Sequence, residues 1–225
     1  MAKNGEVPKR LAKVHPPKCV GCLFGAMTKL PWHGKESKSS HKVFVATKPG
    51  ECVSVDQMAS PQVGFYAKIT GKLTTRCYTG ATIFVDHYSR LRFVHLMQDF
   101  SSDETIKKAK RAFEQFAADH GVKILHYHCD NGRFKDNAFK QACEDARQRL
   151  TLCGVNAHFQ NGIAERAIRD LAASARKQLL HAQARWPAAV HLALWPYALR
   201  NAALLFNTLP VLEGGASFQL NCCWC

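Results

Sequence analysis

Short apolar runs, separated by polar or glycine-containing segments, dominate residues 51–98 and predict β-strands there. We predict four strands in this region, at residues 51–56, 65–69, 78–87 and 91–98. Polar segments at 71–75 and 86–90 supply the turns between the later strands. The spacing predicts an antiparallel meander in which the first strand ends at Asp56.

Beyond residue 100 apolar residues recur every three to four positions, which is typical of amphipathic helices. Ser101 and Glu104 form the Ser-x-x-Glu pattern of a capping box, in which the serine hydroxyl accepts a hydrogen bond from the glutamate N–H. We therefore predict a helix that begins there and ends at Gly121.

An apolar run at residues 123–130 predicts a buried strand that ends at a second aspartate, Asp130. Asn131 and Gly132 follow directly and predict a turn. A helix at 136–147 and a strand at 149–153 complete this part of the pattern. Strands that come first and then alternate with helices predict an α/β fold, a mixed sheet flanked by helices.

The longest uninterrupted helical pattern runs from residue 163 to residue 184 and follows the Asn161-Gly162 turn signal. Its apolar face consists of Ala164, Ile168, Leu171, Ala175 and Leu179. Its cationic face consists of Arg166, Arg169, Arg176 and Lys177. Glu165 lies on the border between the two faces, where a carboxylate is well placed to hold a metal ion beside a polyanion.

The composition shows a strong excess of basic over acidic residues. The 225 residues carry a formal net charge of +14. Residues 1–50 contain ten Lys and Arg against two acids, whereas residues 186–225 contain one of each. A positive charge concentrated in the leader and the central segment favours a polyanionic partner such as nucleic acid.

The ordered combination of Asp56, Asp130-Asn131-Gly132 and the run from Gln160 to Arg166 resembles the D,D-35-E catalytic core of integrases. The resemblance is specifically to Ty1/Copia-type LTR retrotransposons and spans about residues 19–210. It departs from the pattern in placing 34 residues between Asp130 and Glu165. The fold that it implies is ribonuclease H-like.

The same resemblance implies DNA integration, by 3′-end processing and strand transfer, catalysed by a metal-dependent polynucleotidyl transferase. Asp56 would bridge two Mg²⁺ or Mn²⁺ ions, Asp130 would hold one of them and Glu165 the other. We accordingly expect Asp56 and Asp130 to lie on neighbouring strands. The predicted DNA contacts are Asn131, His158, Gln160, Asn161, Arg166, Arg169, Arg176 and Lys177.

Two other functions remain open at this point. A degenerate element can keep three carboxylates and survive as a non-catalytic nucleic-acid-binding remnant, and a ribonuclease H-type nuclease shares the carboxylates but stops at hydrolysis. His126, His128 and Asp130 alternate along one strand and form another candidate metal cluster, which the matched carboxylates make less favourable.

Cys19-Val20-Gly21-Cys22 is half of a zinc site. In the family that the chain resembles, such a pair closes a His-His-Cys-Cys module, whose paired upstream histidines have no match here. His33 and His41 are candidate substitutes, so zinc is a second predicted metal, at an incomplete site.

These features divide the chain into a basic leader at 1–50, an integrase core at 51–185 and a C-terminal helical extension at 186–225. There is no secretory signal and no membrane-spanning run, so we expect an intracellular protein, nuclear when active, that forms homo-oligomers on DNA. The cysteines are then expected to be reduced, and Cys52, Cys77, Cys129, Cys143 and Cys153 lie among apolar residues.

Overall fold

A five-stranded mixed sheet forms the centre of the computed structural model, which describes residues 19–26, 45–67, 74–101, 103–154 and 161–208. The strands are β1 (Val53–Phe65), β2 (Cys77–Asp86), β3 (Arg92–Met97), β4 (His126–Cys129) and β5 (Arg149–Leu152). Their order across the sheet is β3-β2-β1-β4-β5. The β1–β2 and β2–β3 pairs are antiparallel, whereas β1–β4 and β4–β5 are parallel. The predicted mixed sheet flanked by helices is confirmed.

The first strand differs from its prediction. Asp56 is the fourth residue of a 13-residue strand, whereas the sequence pattern predicted a strand that ended there and a separate one at 65–69. The predicted break corresponds to a register shift between Ala59 and Gly64. Pro61 lies exposed within that irregular stretch, where a residue without an N–H is tolerated because the ladder is interrupted.

The described ranges contain five helices. They are α1 (Val20–Ala26), α2 (π-helical over Glu104–Lys110 and α-helical over Arg111–Asp119), α3 (Asn137–Asp145), α4 (Gly162–Arg185) and α5 (Trp195–Thr208). Of these, α1 packs on α4. The helices predicted at 136–147 and 163–184 are confirmed within one or two residues at each end. Among the described residues, no helix is both long and apolar enough to cross a membrane.

The start of α2 confirms half of the predicted capping box. The Ser101 hydroxyl accepts a hydrogen bond from the Glu104 N–H at 3.2 Å. The Glu104 carboxylate turns away instead of returning to Ser101, since it pairs with Lys108 and lies 3.8 Å from His95. The Ser101 N–H bonds to the Asp99 carboxylate at 2.9 Å. The helix ends just before Gly121, whose φ of +70° is the left-handed conformation that favours glycine.

Two apolar cores lie on opposite faces of the sheet. Neighbouring residues of β2 alternate between them, so that Phe84 stacks on Phe113 of α2 with ring centroids 4.6 Å apart, while Ile83 faces α4 and α5. The buried residues of α4 are Ala164, Ala167, Leu171 and Ala175, of which the last three belong to this second core. Small side chains on α4 and α5 let these helices approach each other and the sheet closely. The thiols of Cys52, Cys129, Cys143 and Cys153 are buried and unpaired, whereas that of Cys77 is half-buried.

Candidate active site

The sheet register brings the two predicted aspartates to the same edge. In the parallel β1–β4 pair Val55 lies opposite Cys129, the last paired residues of this ladder. Asp56 and Asp130 follow these two residues directly, so the two aspartates lie next to each other on adjacent strands. The expected placement on neighbouring strands is therefore observed.

A buried asparagine ties the start of α4 to this edge. The Asn161 side chain is 1% exposed, and its amide Nδ2 donates to the Val55 carbonyl at 3.1 Å. Val55 immediately precedes Asp56, and Glu165 lies in the first turn of α4. One hydrogen bond therefore anchors the helix that carries the third carboxylate to the strand that carries the first.

The thiol of Cys153, directly after β5, is affected by all three carboxylates. Burial raises its pKa most, and the charges of Asp130, Glu165 and Asp56, in that order, raise it further. The Cys153 N–H donates to the Cys129 carbonyl at 2.9 Å, which fixes this residue beside the end of β4. All three carboxylates, each half-buried, thus act on one point at the edge of the sheet.

The carboxylate oxygens are not gathered into one tight cluster. Among the described residues, those of Asp56, Asp130 and Glu165 do not all lie within 4.8 Å of one another. The Asp56 carboxylate accepts from the Gln57 N–H at 2.7 Å. The Asp130 carboxylate lies over the following turn, where a Cβ at Gly132 would be 2.9 Å from Oδ2. Three half-buried carboxylates are nevertheless an all-oxygen donor set whose mutual repulsion a divalent cation would relieve, so these residues fit Mg²⁺ or Mn²⁺.

The predicted DNA contacts fall into three groups. Arg166, Arg169 and Arg176 are exposed on α4, whereas Lys177 is half-buried against α1, where a Cβ at Gly25 would lie 2.4 Å from its Cγ. Asn131 is half-buried in the turn after Asp130. The side chain of Asn161 is buried and donates its hydrogen bond to the Val55 carbonyl, so it faces away from solvent. His158 and Gln160 lie outside the described residues.

The histidines of the alternative metal cluster, His126 and His128, instead link two strands of the sheet. His126 and His128 both bond to the Thr151 hydroxyl, at 2.8 and 2.9 Å, across the β4–β5 pair. Burial lowers the pKa of His126 to about 4. Together with Asp130 they form no metal-ligating group within the described part of the chain.

The predicted half zinc site has a partner that the sequence pattern missed. The sulfur of Cys19 lies 2.9 Å from His181 Nε2 on α4, and the sulfur of Cys22 lies 3.4 Å from the same nitrogen. No local signal points to His181, because it lies far along the chain from Cys19 and near the end of a long helical pattern. The expected substitutes His33 and His41 lie outside the described residues.

A second missed contact fixes the orientation of α4 against the sheet. Arg92 on β3 and Asp170 on α4 form an ion pair at 3.1 Å, and the Arg92 guanidinium also covers the ring of Phe206 on α5. Neither residue belongs to a recognisable motif, so only the packing of the two elements brings them together.

Comparison with known proteins identifies the fold. No protein-family model and no curated protein matches the chain. Among solved structures, the HTLV-2 integrase catalytic core domain in complex with magnesium, in its trimeric form, matches with a TM-score of 0.54 and 19% identity over 79% of this chain and 98% of that one. The dimeric form matches with a TM-score of 0.51 and 20% identity over 76% and 94%.

The third match is to a larger assembly, a simian T-cell lymphotropic virus intasome in complex with the PP2A regulatory subunit B56 gamma. Its TM-score is 0.57, with 20% identity over 78% of this chain and 55% of that one. At these identities the likeness establishes the fold. The chain therefore has the ribonuclease H-like fold of integrase catalytic cores.

Proposed function

We propose that this chain is the catalytic core of a Ty1/Copia-type retrotransposon integrase, a metal-dependent polynucleotidyl transferase that processes and joins DNA ends. The observation that carries the proposal is the placement of Asp56 and Asp130 on adjacent parallel strands, with Glu165 tied to the same edge through Asn161. The integrase-core fold supports it, and the motif around Gln160 to Arg166 favours the Copia type.

Within this function Asp56, Asp130 and Glu165 would hold two Mg²⁺ or Mn²⁺ ions. Such ions neutralise charge on the phosphate and lower the pKa of bound water. The chain's own contribution is placement, because two carboxylates come from a rigid sheet and the third from a helix anchored to it. The HTLV-2 core that shares this fold was solved with magnesium, which agrees with the donor set found here.

The exposed arginines of α4 position the DNA. At about 100° per residue, Arg169 and Arg176 lie within roughly 40° of Glu165 around the helix axis. A phosphate backbone that follows this stripe leads toward the carboxylates. Contacts of this kind fix the register of the duplex without reading its sequence. Arg166 and Lys177 lie further round α4 on one side of this stripe, and Asn131 in the turn after Asp130 is a further candidate contact. The neighbours' dimeric and intasome forms support a homo-oligomer on DNA. A nuclear location when active is part of the same proposal.

The proposal also assigns residues 51–185 as the catalytic core, 1–50 as a basic leader and 186–225 as an extension. In the described part of that extension, α5 packs on α4 through Ala198, Leu199 and Ala202.

The deciding experiment is a joining assay with the purified chain, a blunt duplex and a supercoiled plasmid in Mg²⁺ or Mn²⁺. Glu165→Gln should abolish joining and leave DNA affinity within about twofold, because it removes an ion ligand and leaves the apolar face of α4 intact. Asp56→Asn and Asp130→Asn should behave in the same way. Glu144→Gln, on the exposed surface of α3, is the matched control and should join normally.

The products separate the three candidate functions. Joined product that depends on Glu165 supports the integrase. Nicking without joining would favour a ribonuclease H-type nuclease. DNA binding with neither product, at every metal tested, would favour a non-catalytic remnant.

A further inference from the structure

The contact between α1 and the distant part of α4 is independent of the carboxylate site. Cys19 precedes α1, Cys22 lies in its first turn, and His181 lies near the C-terminal end of α4. One ligand atom from each residue lies within 4.8 Å of the other two. Among the described residues this is the single group of three such side chains at metal-ligand distances.

We propose that Cys19, Cys22 and His181 bind one zinc ion that fastens α1 to the core helix α4. Tetrahedral bonds of about 2.3 Å to sulfur and 2.0–2.1 Å to nitrogen separate sulfur from nitrogen by roughly 3.6 Å. The observed separations from His181 Nε2 are 2.9 Å for Cys19 and 3.4 Å for Cys22. Small side-chain rotations therefore bring all three atoms to ligand positions. Two thiolates and one imidazole are soft and borderline donors that suit Zn²⁺.

The packing of α1 on α4 is built for a close approach at this point. Gly21 and Gly25 lie one turn apart on the face of α1 that meets α4. A Cβ at Gly21 would lie 3.1 Å from the His181 ring, and one at Gly25 would lie 2.4 Å from Lys177 Cγ. Without side chains at these two positions, the backbone of α1 can bring both cysteines onto His181.

The local hydrogen bonds orient the cysteines as a zinc-binding pair. The Cys22 N–H donates to the Cys19 sulfur at 3.3 Å, so the two residues share a turn in which both thiols face the same side. Cys22 and His181 are exposed and Cys19 is half-buried, so an ion can enter from solvent and a water can occupy the fourth position. Because His181 comes from the catalytic core helix, this ligand set differs from a module that supplies all four ligands from its own segment.

The consequence is a zinc-dependent link between the N-terminal segment and the core. The seven-residue α1 is too short to be stable by itself, so its position depends on what fastens it. His181 is one turn beyond Lys177, which packs against Gly25, so zinc would hold α1 along this part of α4. This inference does not rest on the proposed function, because zinc binding can be measured without DNA.

The test uses the full chain loaded with Co²⁺ and Zn²⁺ in turn under reducing conditions. We expect one equivalent of Co²⁺, a thiolate-to-cobalt charge-transfer band in the near ultraviolet and tetrahedral ligand-field bands, all displaced by Zn²⁺. Loss of a group that only hydrogen-bonds to a metal ligand costs about 10–100-fold in metal affinity. Loss of a ligand itself, in Cys19→Ser, Cys22→Ser or His181→Asn, should therefore cost at least that. X-ray absorption of the zinc form should show two sulfur ligands.

Two controls isolate the site. Cys77→Ser removes a half-buried thiol outside the cluster, and His191→Asn removes an exposed histidine while keeping a side chain that can cap the following turn. Both should bind metal as the unmodified chain does. Circular dichroism and thermal unfolding of each variant show whether it is folded.

Hydrogen exchange gives a readout besides affinity. Zinc should slow amide exchange in residues 19–26 in the unmodified chain and leave it unchanged in folded His181→Asn. Unchanged zinc affinity in His181→Asn would overturn the proposal, as would a four-sulfur shell. A Cys19–Cys22 disulfide that persists in reductant and excludes metal would overturn it as well.

Discussion

Replacing Gly132 by alanine probes the Asp130 carboxylate more selectively than replacing the aspartate itself. The new Cβ would lie 2.9 Å from Asp130 Oδ2, whereas ordinary van der Waals contact begins at 3.4 Å, so the oxygen must move by about 0.5 Å. The obstacle is the free end of a short side chain, and Gly132 does not have a positive φ. The substitution should therefore rotate the carboxylate and leave the fold intact.

Gly132→Ala should change the joining rate much more than the free energy of unfolding. A side-chain torsion forced about 30° off its rotamer costs roughly 0.5–1.5 kcal/mol, and a compatible Gly→Ala change returns about 0.4–1 kcal/mol through the unfolded state. The free energy of unfolding should thus change by less than about 1 kcal/mol. A misplacement of about 1 Å in a catalytic group can cost about 100-fold in rate, so about 0.5 Å should cost on the order of 10-fold.

Three measurements on one variant check this reasoning: thermal unfolding, Mn²⁺ affinity by calorimetry, and DNA joining. Gly162→Ala is the matched control, because a Cβ there meets nothing within 4 Å. We expect Gly132→Ala to lose Mn²⁺ affinity and joining at unchanged stability, and Gly162→Ala to retain all three. Equal Mn²⁺ affinity and equal joining in the two variants would refute a role for the Asp130 carboxylate in the orientation observed here.

Three further predictions concern the Asn161 anchor, the DNA-binding face and His87, which directly follows β2 and lies 2.8 Å from the Ser54 hydroxyl. Asn161→Ala removes the buried bond to the Val55 carbonyl and should lower the free energy of urea unfolding by about 1–2 kcal/mol, whereas exposed Asn201→Ala should change it by less than about 0.5 kcal/mol. Burial lowers the pKa of His87 to about 4. Its contribution to the free energy of unfolding is therefore fully present above the unfolded pKa of about 6.5 and is lost as the pH falls toward 4. Between pH 7 and pH 5 the free energy of unfolding should fall by about 1 kcal/mol after allowance for partial exposure, and His87→Gln should reduce this pH dependence. Charge reversal of both Arg169 and Arg176 should weaken binding to all duplex sequences alike and flatten its salt dependence, and unchanged affinity at low salt would show that this face does not bind DNA.

The sequence by itself determined most of the elements and the local positions of Asp130 and Glu165, though not the continuation of the first strand past Asp56. Apolar periodicity depends on which face of a strand or helix is buried, so the strands near Ile83 and Tyr127 and the helix around Leu171 could be read without a structure. The same patterns located Asp130 just past a strand and Glu165 in the first turn of a helix.

Only the tertiary structure decided what those elements meet. β1 continues past Asp56 because residues 77–80 of β2 pair with its second half, and a polar stretch with a proline gives no local sign of such a partner. Asn161 has the local pattern of a turn residue, yet docking of α4 on β1 buries it and ties the start of the helix that carries Glu165 to the strand that carries Asp56. Cys19 and His181 show the same limit, since ligands from distant segments form a site only when helix packing supplies the geometry that spacing along the chain cannot.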